Sequence, residues 1–81
     1  MDLDLKKLVI FQEIARCKSF SVASEKLFMS QSTVSMHMKR LEDSLGLQLL
    51  KRGKNETVPT PEGKMVLKYA DRIMSVVNEM Q

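Results

Sequence analysis

The 81-residue sequence is poor in the residues on which disulfide-linked domains and enzymes depend: it has one cysteine, one histidine and no tryptophan. A single thiol excludes an intramolecular disulfide, so we interpret Cys17 as a small buried or half-buried hydrophobic residue. The lone His37 and Cys17 fall on different predicted helices, with no carboxylate pair or metal-ligand spacing around them. We therefore expect no enzymatic activity, no metal and no cofactor.

Long apolar runs are missing as well. No stretch approaches the roughly 18 apolar residues that a membrane-spanning helix needs. The acidic start Met-Asp-Leu-Asp differs from the basic start of a secretory signal, and we expect a reducing cytoplasm. The length allows one domain with a modest core, so support from a second chain is expected.

The net charge of +3 is small, and the positions of the cations along the chain are more informative than the total. Residues 46–60 carry Lys51, Arg52 and Lys54 against Glu56 and so hold a net +2. Taken alone, this excess fits a basic loop in solvent as well as it fits a binding surface.

Two helices are predicted in the first third of the chain. The first runs from about Asp4 to Cys17, capped by Asp2 or Asp4. Its core stripe is predicted to be Leu5, Leu8, Phe11, Ile14 and Ala15, and Val9 and Ile10 add apolar surface for a partner. The second begins at Ser21 as N-cap and runs to about Leu27, with Val22, Ala23 and Leu27 facing inwards.

A turn at Phe28-Met29-Ser30 precedes the third predicted helix. Turns of this kind often need a left-handed residue, yet neither glycine nor asparagine is present. Either this turn avoids the left-handed conformation or a bulky residue adopts it.

The third helix, capped by Ser30 or Ser32 and ended by Gly46, has two faces. Apolar residues recur at i, i+4, i+7 and i+11, namely Val34, Met38, Leu41 and Leu45. The opposite face is polar and carries Ser32, Thr33, Ser35, Met36, His37, Lys39, Arg40 and Asp43. Hydroxyls, an imidazole and two cations suit a polar, anionic ligand, and we interpret this helix as one that enters the major groove of DNA.

The remaining chain predicts a hairpin and a long helix. Residues 48–52 and 57–60 flank Gly53-Lys54-Asn55-Glu56, which is typical of a β-hairpin, although an irregular loop is the alternative. Thr60 and Pro61 then start a helix that runs to the end of the chain. Apolar residues on it form a coiled-coil-like seam (Val66, Ala70, Ile73, Val77, Met80) and a second stripe (Met65, Tyr69, Val76). Two stripes favour self-association over packing wholly within the domain.

At this point the motifs match a known family. The block Ser30-Gln31-Ser32-Thr33-Val34-Ser35, then Leu41-Glu42, Leu45-Gly46 and Thr60-Pro61-Glu62-Gly63, resembles the N-terminal DNA-binding domain of LysR-type bacterial transcriptional regulators. The resemblance covers nearly the whole chain. It implies a mainly α winged helix-turn-helix in residues 1–60, with a three-helix core and a short β-hairpin wing, followed by a dimerisation linker helix in residues 61–81.

The resemblance also implies a function and a set of site residues. The chain would bind partly palindromic promoter DNA as a homodimer in the bacterial cytoplasm, with the wing on the backbone or minor groove. The predicted DNA-binding residues are Ser30, Gln31, Ser32, Thr33, Ser35, Met36, His37, Lys39, Arg40, Arg52 and Lys54. The predicted dimer interface is Val66, Tyr69, Ala70, Ile73, Val76, Val77 and Met80.

The sequence departs from the family pattern at a few positions. Met36 stands where the family often has a cation, Ser24 replaces an alanine, Leu50 a phenylalanine and Pro59 a leucine. The family's larger C-terminal domain, through which a small-molecule effector would act, is absent. We expect an excised domain, because the chain stops inside a helix without a C-cap.

Two other functions stay open from the sequence. One is a helical protein-interaction module, against which the basic wing and the lack of an aromatic-rich patch argue. The other is a winged-helix regulator of another family, such as the molybdate-responsive or MarR-like kind.

Overall fold

Four helices and a two-stranded sheet make up the computed structural model, which describes residues 4–81. In chain order the elements are α1 (Leu5–Cys17), α2 (Phe20–Lys26), α3 (Gln31–Leu45), β1 (Leu50–Arg52), β2 (Thr57–Pro59) and α4 (Pro61–Glu79). The two strands pair antiparallel, with Leu50 opposite Pro59 and Arg52 opposite Thr57. The predicted winged helix-turn-helix is confirmed, and the hairpin within residues 48–60 has three residues in each strand.

Side-chain caps set where the helices begin. Asp4 accepts a hydrogen bond from the Lys7 N–H at 2.9 Å and caps α1, whereas the alternative cap Asp2 lies outside the described residues. Ser30 caps α3 and Thr60 caps α4, as predicted. The prediction for α2 was wrong. Ser19 is extended and accepts from the Val22 N–H, so α2 begins at Phe20 and Ser21 is not its cap.

The core is formed where α1 packs against α2, α3 and α4. Its buried apolar residues are Leu8, Ile10, Phe11, Ile14, Phe20, Ala23, Val34, Met38, Leu41, Leu49, Leu50 and Ala70. Since α1 has neighbours on several sides, Ile10 belongs to this core and gives no surface to a partner.

Two predicted core residues lie on the surface. Leu5 is 44% exposed because it is the first residue of α1, beyond the reach of the packed helices. Val22 is 42% exposed because the earlier start of α2 turns Phe20, Ala23 and Ser24 inwards.

The turn between α2 and α3 contains a left-handed phenylalanine. Phe28 has φ 56° and is 96% exposed, so its ring gains almost no packing. The turn is closed by hydrogen bonds from the Phe28 N–H to the Glu25 carbonyl at 3.2 Å and from the Met29 N–H to the Ser24 carbonyl at 3.0 Å. Of the two alternatives, a bulky residue therefore adopts the strained conformation.

The hairpin is attached to both α3 and α4. The Glu42 carboxylate of α3 accepts hydrogen bonds from the Leu49 and Leu50 N–H groups, at 2.7 and 3.2 Å. Thr60 donates its hydroxyl to the Gln48 carbonyl at 2.6 Å and its N–H to the Leu49 carbonyl at 3.0 Å. Gly63 comes so close to this segment that a Cβ would overlap the Leu49 carbonyl.

We predict that Phe28→Asn stabilises the domain, because asparagine adopts the left-handed region at lower cost and little packing is lost. The expected gain is up to about 1 kcal/mol, measured by thermal unfolding. Gly46→Ala is the matched control: Gly46 has φ +67° and open space around an added Cβ. It should lose about 1–2 kcal/mol. A destabilised Phe28→Asn variant would contradict the assigned turn.

We predict that Glu42→Ala destabilises the domain, because two N–H groups of the hairpin base lose a charged acceptor. The loss should be about 1.5–3 kcal/mol by urea unfolding. Asp43→Ala is the control, since Asp43 is exposed and its carboxylate lies 3.8 Å from the Lys39 ammonium in a surface ion pair. Its loss should stay below about 1 kcal/mol. Equal losses for the two variants would show that Glu42 does not attach the hairpin.

Candidate nucleic-acid interface

The polar face of α3 is open to solvent along most of its length. Gln31, Ser32, Met36, Lys39 and Arg40 are exposed, as is the cap residue Ser30. Three further predicted site residues are partly buried, namely Thr33, Ser35 and His37. Of these residues, Gln31, Ser35 and Lys39 lie on the side of α3 that faces the hairpin.

Hydroxyl groups at the start of α3 are already engaged with one another. Ser30 Oγ accepts from the Thr33 N–H at 3.2 Å, donates to Thr33 Oγ1 at 2.7 Å and lies 3.2 Å from Ser32 Oγ. Ser30 and Thr33 therefore have a structural role in the cap. Gln31 occupies the first helical position beside them, with its amide group on the surface.

His37 is the partly buried histidine of this face. Its Nδ1 atom is buried and has no hydrogen-bond partner among the described residues. Burial is the main cause that lowers the pKa of His37, and the nearby cations Lys6 and Lys7 lower it further. Both effects favour the neutral form of the imidazole.

The hairpin adds cations beside α3. Lys51, Arg52 and Lys54 are all exposed, and the Gly53 N–H donates to the Glu56 carbonyl at 2.8 Å to close the turn. We call residues 50–59 the wing. The Thr57 N–H donates to the Lys18 carbonyl at 2.9 Å, which ties the wing to the connector between α1 and α2.

Two open clefts lie between the wing and α3. Gln31 from α3 and Arg52 and Lys54 from the wing line the first. Ser35 and Lys39 from α3, together with Arg52, line the second. Residues that lie 13 to 23 positions apart in the sequence thus form one surface with Arg52 at its centre.

Three residues that support this surface were missed from the sequence. Lys18 and Phe20 fall between the first two predicted helices, and Glu42 was noted only within a motif. The Phe20 ring lies under the Arg52 guanidinium. The Lys18 carbonyl accepts a hydrogen bond from the Thr57 N–H of the wing, and the Glu42 carboxylate accepts one from the Leu49 N–H before β1. A capping serine at Ser19 was the available signal for the start of α2 at Phe20.

A separate apolar surface runs along α4. Its most exposed apolar residues recur with spacings of four, four, three and four, namely Met65, Tyr69, Ile73, Val76 and Met80. Ala70 has no exposed surface and packs inside the chain, so it can contribute no area to a contact with a second copy. Val66 and Val77 are half-buried.

Within residues 4–81, no three His, Cys, Asp or Glu side chains are grouped as metal ligands. None of the helices in this range is both long and apolar enough to cross a bilayer.

Known proteins resemble this chain in both sequence and fold. The RuBisCO operon transcriptional regulator of Allochromatium vinosum is 37% identical over the whole chain, and the regulator BenM of Acinetobacter baylyi is 36% identical over 96% of it. The chain spans about a quarter of the length of these relatives (27% and 26%).

Solved structures agree with this likeness. The BenM DNA-binding domain in complex with catB site 1 DNA superposes with a TM-score of 0.92 at 36% identity, covering 96% of this chain and 88% of that one. Full-length CbnR with its target DNA superposes with a TM-score of 0.90 at 27% identity, covering 96% of this chain and 27% of that one. The profile described as "Bacterial regulatory helix-turn-helix protein, lysR family" matches residues 5–64. The chain therefore belongs to the lysR family of bacterial regulatory helix-turn-helix proteins.

Proposed function

We propose that this chain is the sequence-specific DNA-binding part of a bacterial LysR-type transcriptional regulator. The observation that carries the proposal is the exposed polar face of α3, which continues without interruption into the cations of the wing. A similar fold, that of the BenM DNA-binding domain, has been solved on DNA. Recognition of a small-molecule effector would belong to the part of the relatives that this chain does not span.

In this proposal α3 lies in the major groove and reads base edges. The Gln31 amide is suited to pair with N6 and N7 of an adenine, and the Met36 side chain to pack on a thymine methyl group. The exposed N-terminus of α3, at the positive end of the helix dipole, suits a backbone phosphate. Lys39, Arg40 and Lys54 would neutralise phosphates and set the register without reading sequence.

A second copy would bind through the apolar stripe of α4. That stripe is exposed at Tyr69, Ile73 and Val76, while Val66, Leu67 and Ala70 of the same helix pack on the core. A dimer would place two recognition helices about 34–36 Å apart on DNA, one helical turn or a multiple of it. This spacing accounts for a site made of two half-sites.

We predict that Gln31→Ala weakens binding to a selected operator far more than binding to random duplex. A lost bidentate contact to adenine should cost about 1–3 kcal/mol on the specific site. Both affinities would be measured by fluorescence anisotropy at one salt concentration, on duplex selected from a random pool.

Gln12→Ala is the matched control, because the Gln12 amide bonds to Asp71 at 2.8 Å on the side of α4. It should leave both affinities unchanged. Equal losses on operator and random duplex for Gln31→Ala would remove Gln31 from base reading. An affinity of the native chain that is independent of salt would contradict the proposed DNA contact itself.

We predict that Val76→Asp weakens self-association at least about tenfold, equivalent to 1.4 kcal/mol, because it buries a charge in the apolar stripe. Val76 is 55% exposed, so the fold of the single chain should survive. Ser75→Asp adds the same charge one residue away, about 100° around the helix, and should leave the dimer intact. Sedimentation equilibrium measures both. If the dimer dissociates in neither variant, another surface joins the two copies.

A further inference from the structure

The guanidinium of Arg52 lies on the face of a buried phenylalanine. The Arg52 Cζ atom is 4.1 Å from the centroid of the Phe20 ring, and Phe20 is only 9% exposed. Phe20 belongs to the core and is the first residue of α2, where the Ser19 cap fixes the backbone. The ring is therefore a fixed platform, whereas an arginine on an exposed strand end is ordinarily mobile.

Within residues 4–81, the Phe20 ring is the group that interacts with the positive charge of Arg52. Arg52 forms no ion pair with any residue in the range 4–81, so its positive charge is not neutralised. Phe20 and Arg52 also line both clefts between the wing and α3. The ring thus holds an unpaired cation at the point where the recognition helix and the wing meet.

We propose that Phe20 is a positioning residue for DNA binding, which orders the Arg52 guanidinium before the duplex arrives. The inference rests on the proposed function, and it assigns to a buried residue an effect on affinity without any contact to DNA. Stacking on an aromatic face leaves the edge of the guanidinium and its N–H groups available to a phosphate or a base edge. An arginine that is already ordered loses less side-chain entropy on binding.

A double-mutant cycle tests this directly. Phe20→Leu keeps a large apolar side chain in the core and removes the aromatic face, and Arg52→Ala removes the cation. Affinity for the selected duplex would be measured for the native chain, both single variants and the double variant, at a temperature where circular dichroism shows all four folded. Phe20→Leu should weaken binding about 3- to 10-fold when Arg52 is present. It should have no effect in the Arg52→Ala background.

Lys54 provides the matched control, because it is a wing cation that lines the first cleft but has no cation–π contact with any ring in the part of the chain that the structure describes. Phe20→Leu should weaken binding by the same factor with or without Lys54→Ala, so the two changes should not be coupled. A loss that is equal in the native and Arg52→Ala backgrounds would overturn the inference. Equal coupling to Arg52 and Lys54 would also overturn it, since that result indicates a general disturbance of the wing.

A measurement on the native chain covers the case in which Phe20→Leu does not fold. Ring currents of Phe20 should shift the Arg52 Hδ resonances upfield of those of Arg40, which has no such ring contact. Arg52 resonances at random-coil positions would overturn the inference. Failure of the native chain to bind any duplex would refute the proposed function, whereas native binding without coupling would refute the positioning role alone.

Discussion

The carboxylate of Glu42 joins α3 to the wing, and the shape of the proposed DNA-binding surface depends on that attachment. A hairpin with three residues in each strand is not stable by itself in water. Glu42 supplies a charged acceptor to two consecutive N–H groups at the base of β1, and charge-assisted hydrogen bonds of this kind are stronger than neutral ones. The wing cations therefore have a defined position relative to α3.

Other contacts restrain the wing from different directions. The Thr57 N–H bonds to the Lys18 carbonyl, and Thr60 bonds to the segment before β1 while it caps α4. The close approach of Gly63 to Leu49 allows α4 to start directly beside that segment. As a result, the helix-turn-helix, the wing and the first turns of α4 form one unit. The apolar stripe of α4 extends away from this unit and is exposed to solvent.

Much of this architecture could be predicted from local chemistry. The caps Ser30 and Thr60, the left-handed Gly46 and the turn after Arg52 are each determined by a few neighbouring residues. The start of α2 was misplaced because two serines, Ser19 and Ser21, both suit a cap, and a seven-residue helix has too little periodicity to decide between them. That error alone put Val22 on the wrong side.

The parts that escaped prediction depend on contacts between distant residues. Periodicity found two apolar stripes on α4, but only the packing of the domain shows that Ala70 is covered and Tyr69 is not. Likewise, Phe20 and Arg52 meet across 32 positions of sequence, and Glu42 reaches the N–H groups seven and eight residues ahead. No local pattern encodes these pairs, although they decide where the wing cations lie.

The most direct test of the account is amide chemical-shift mapping by NMR while the native chain is titrated with its selected duplex. We expect the largest shifts to occur together in residues 31–40 of α3 and 51–56 of the wing, and both sets to follow one binding curve. Shifts confined to α4, or shifts in the wing without any in residues 31–40, would contradict it.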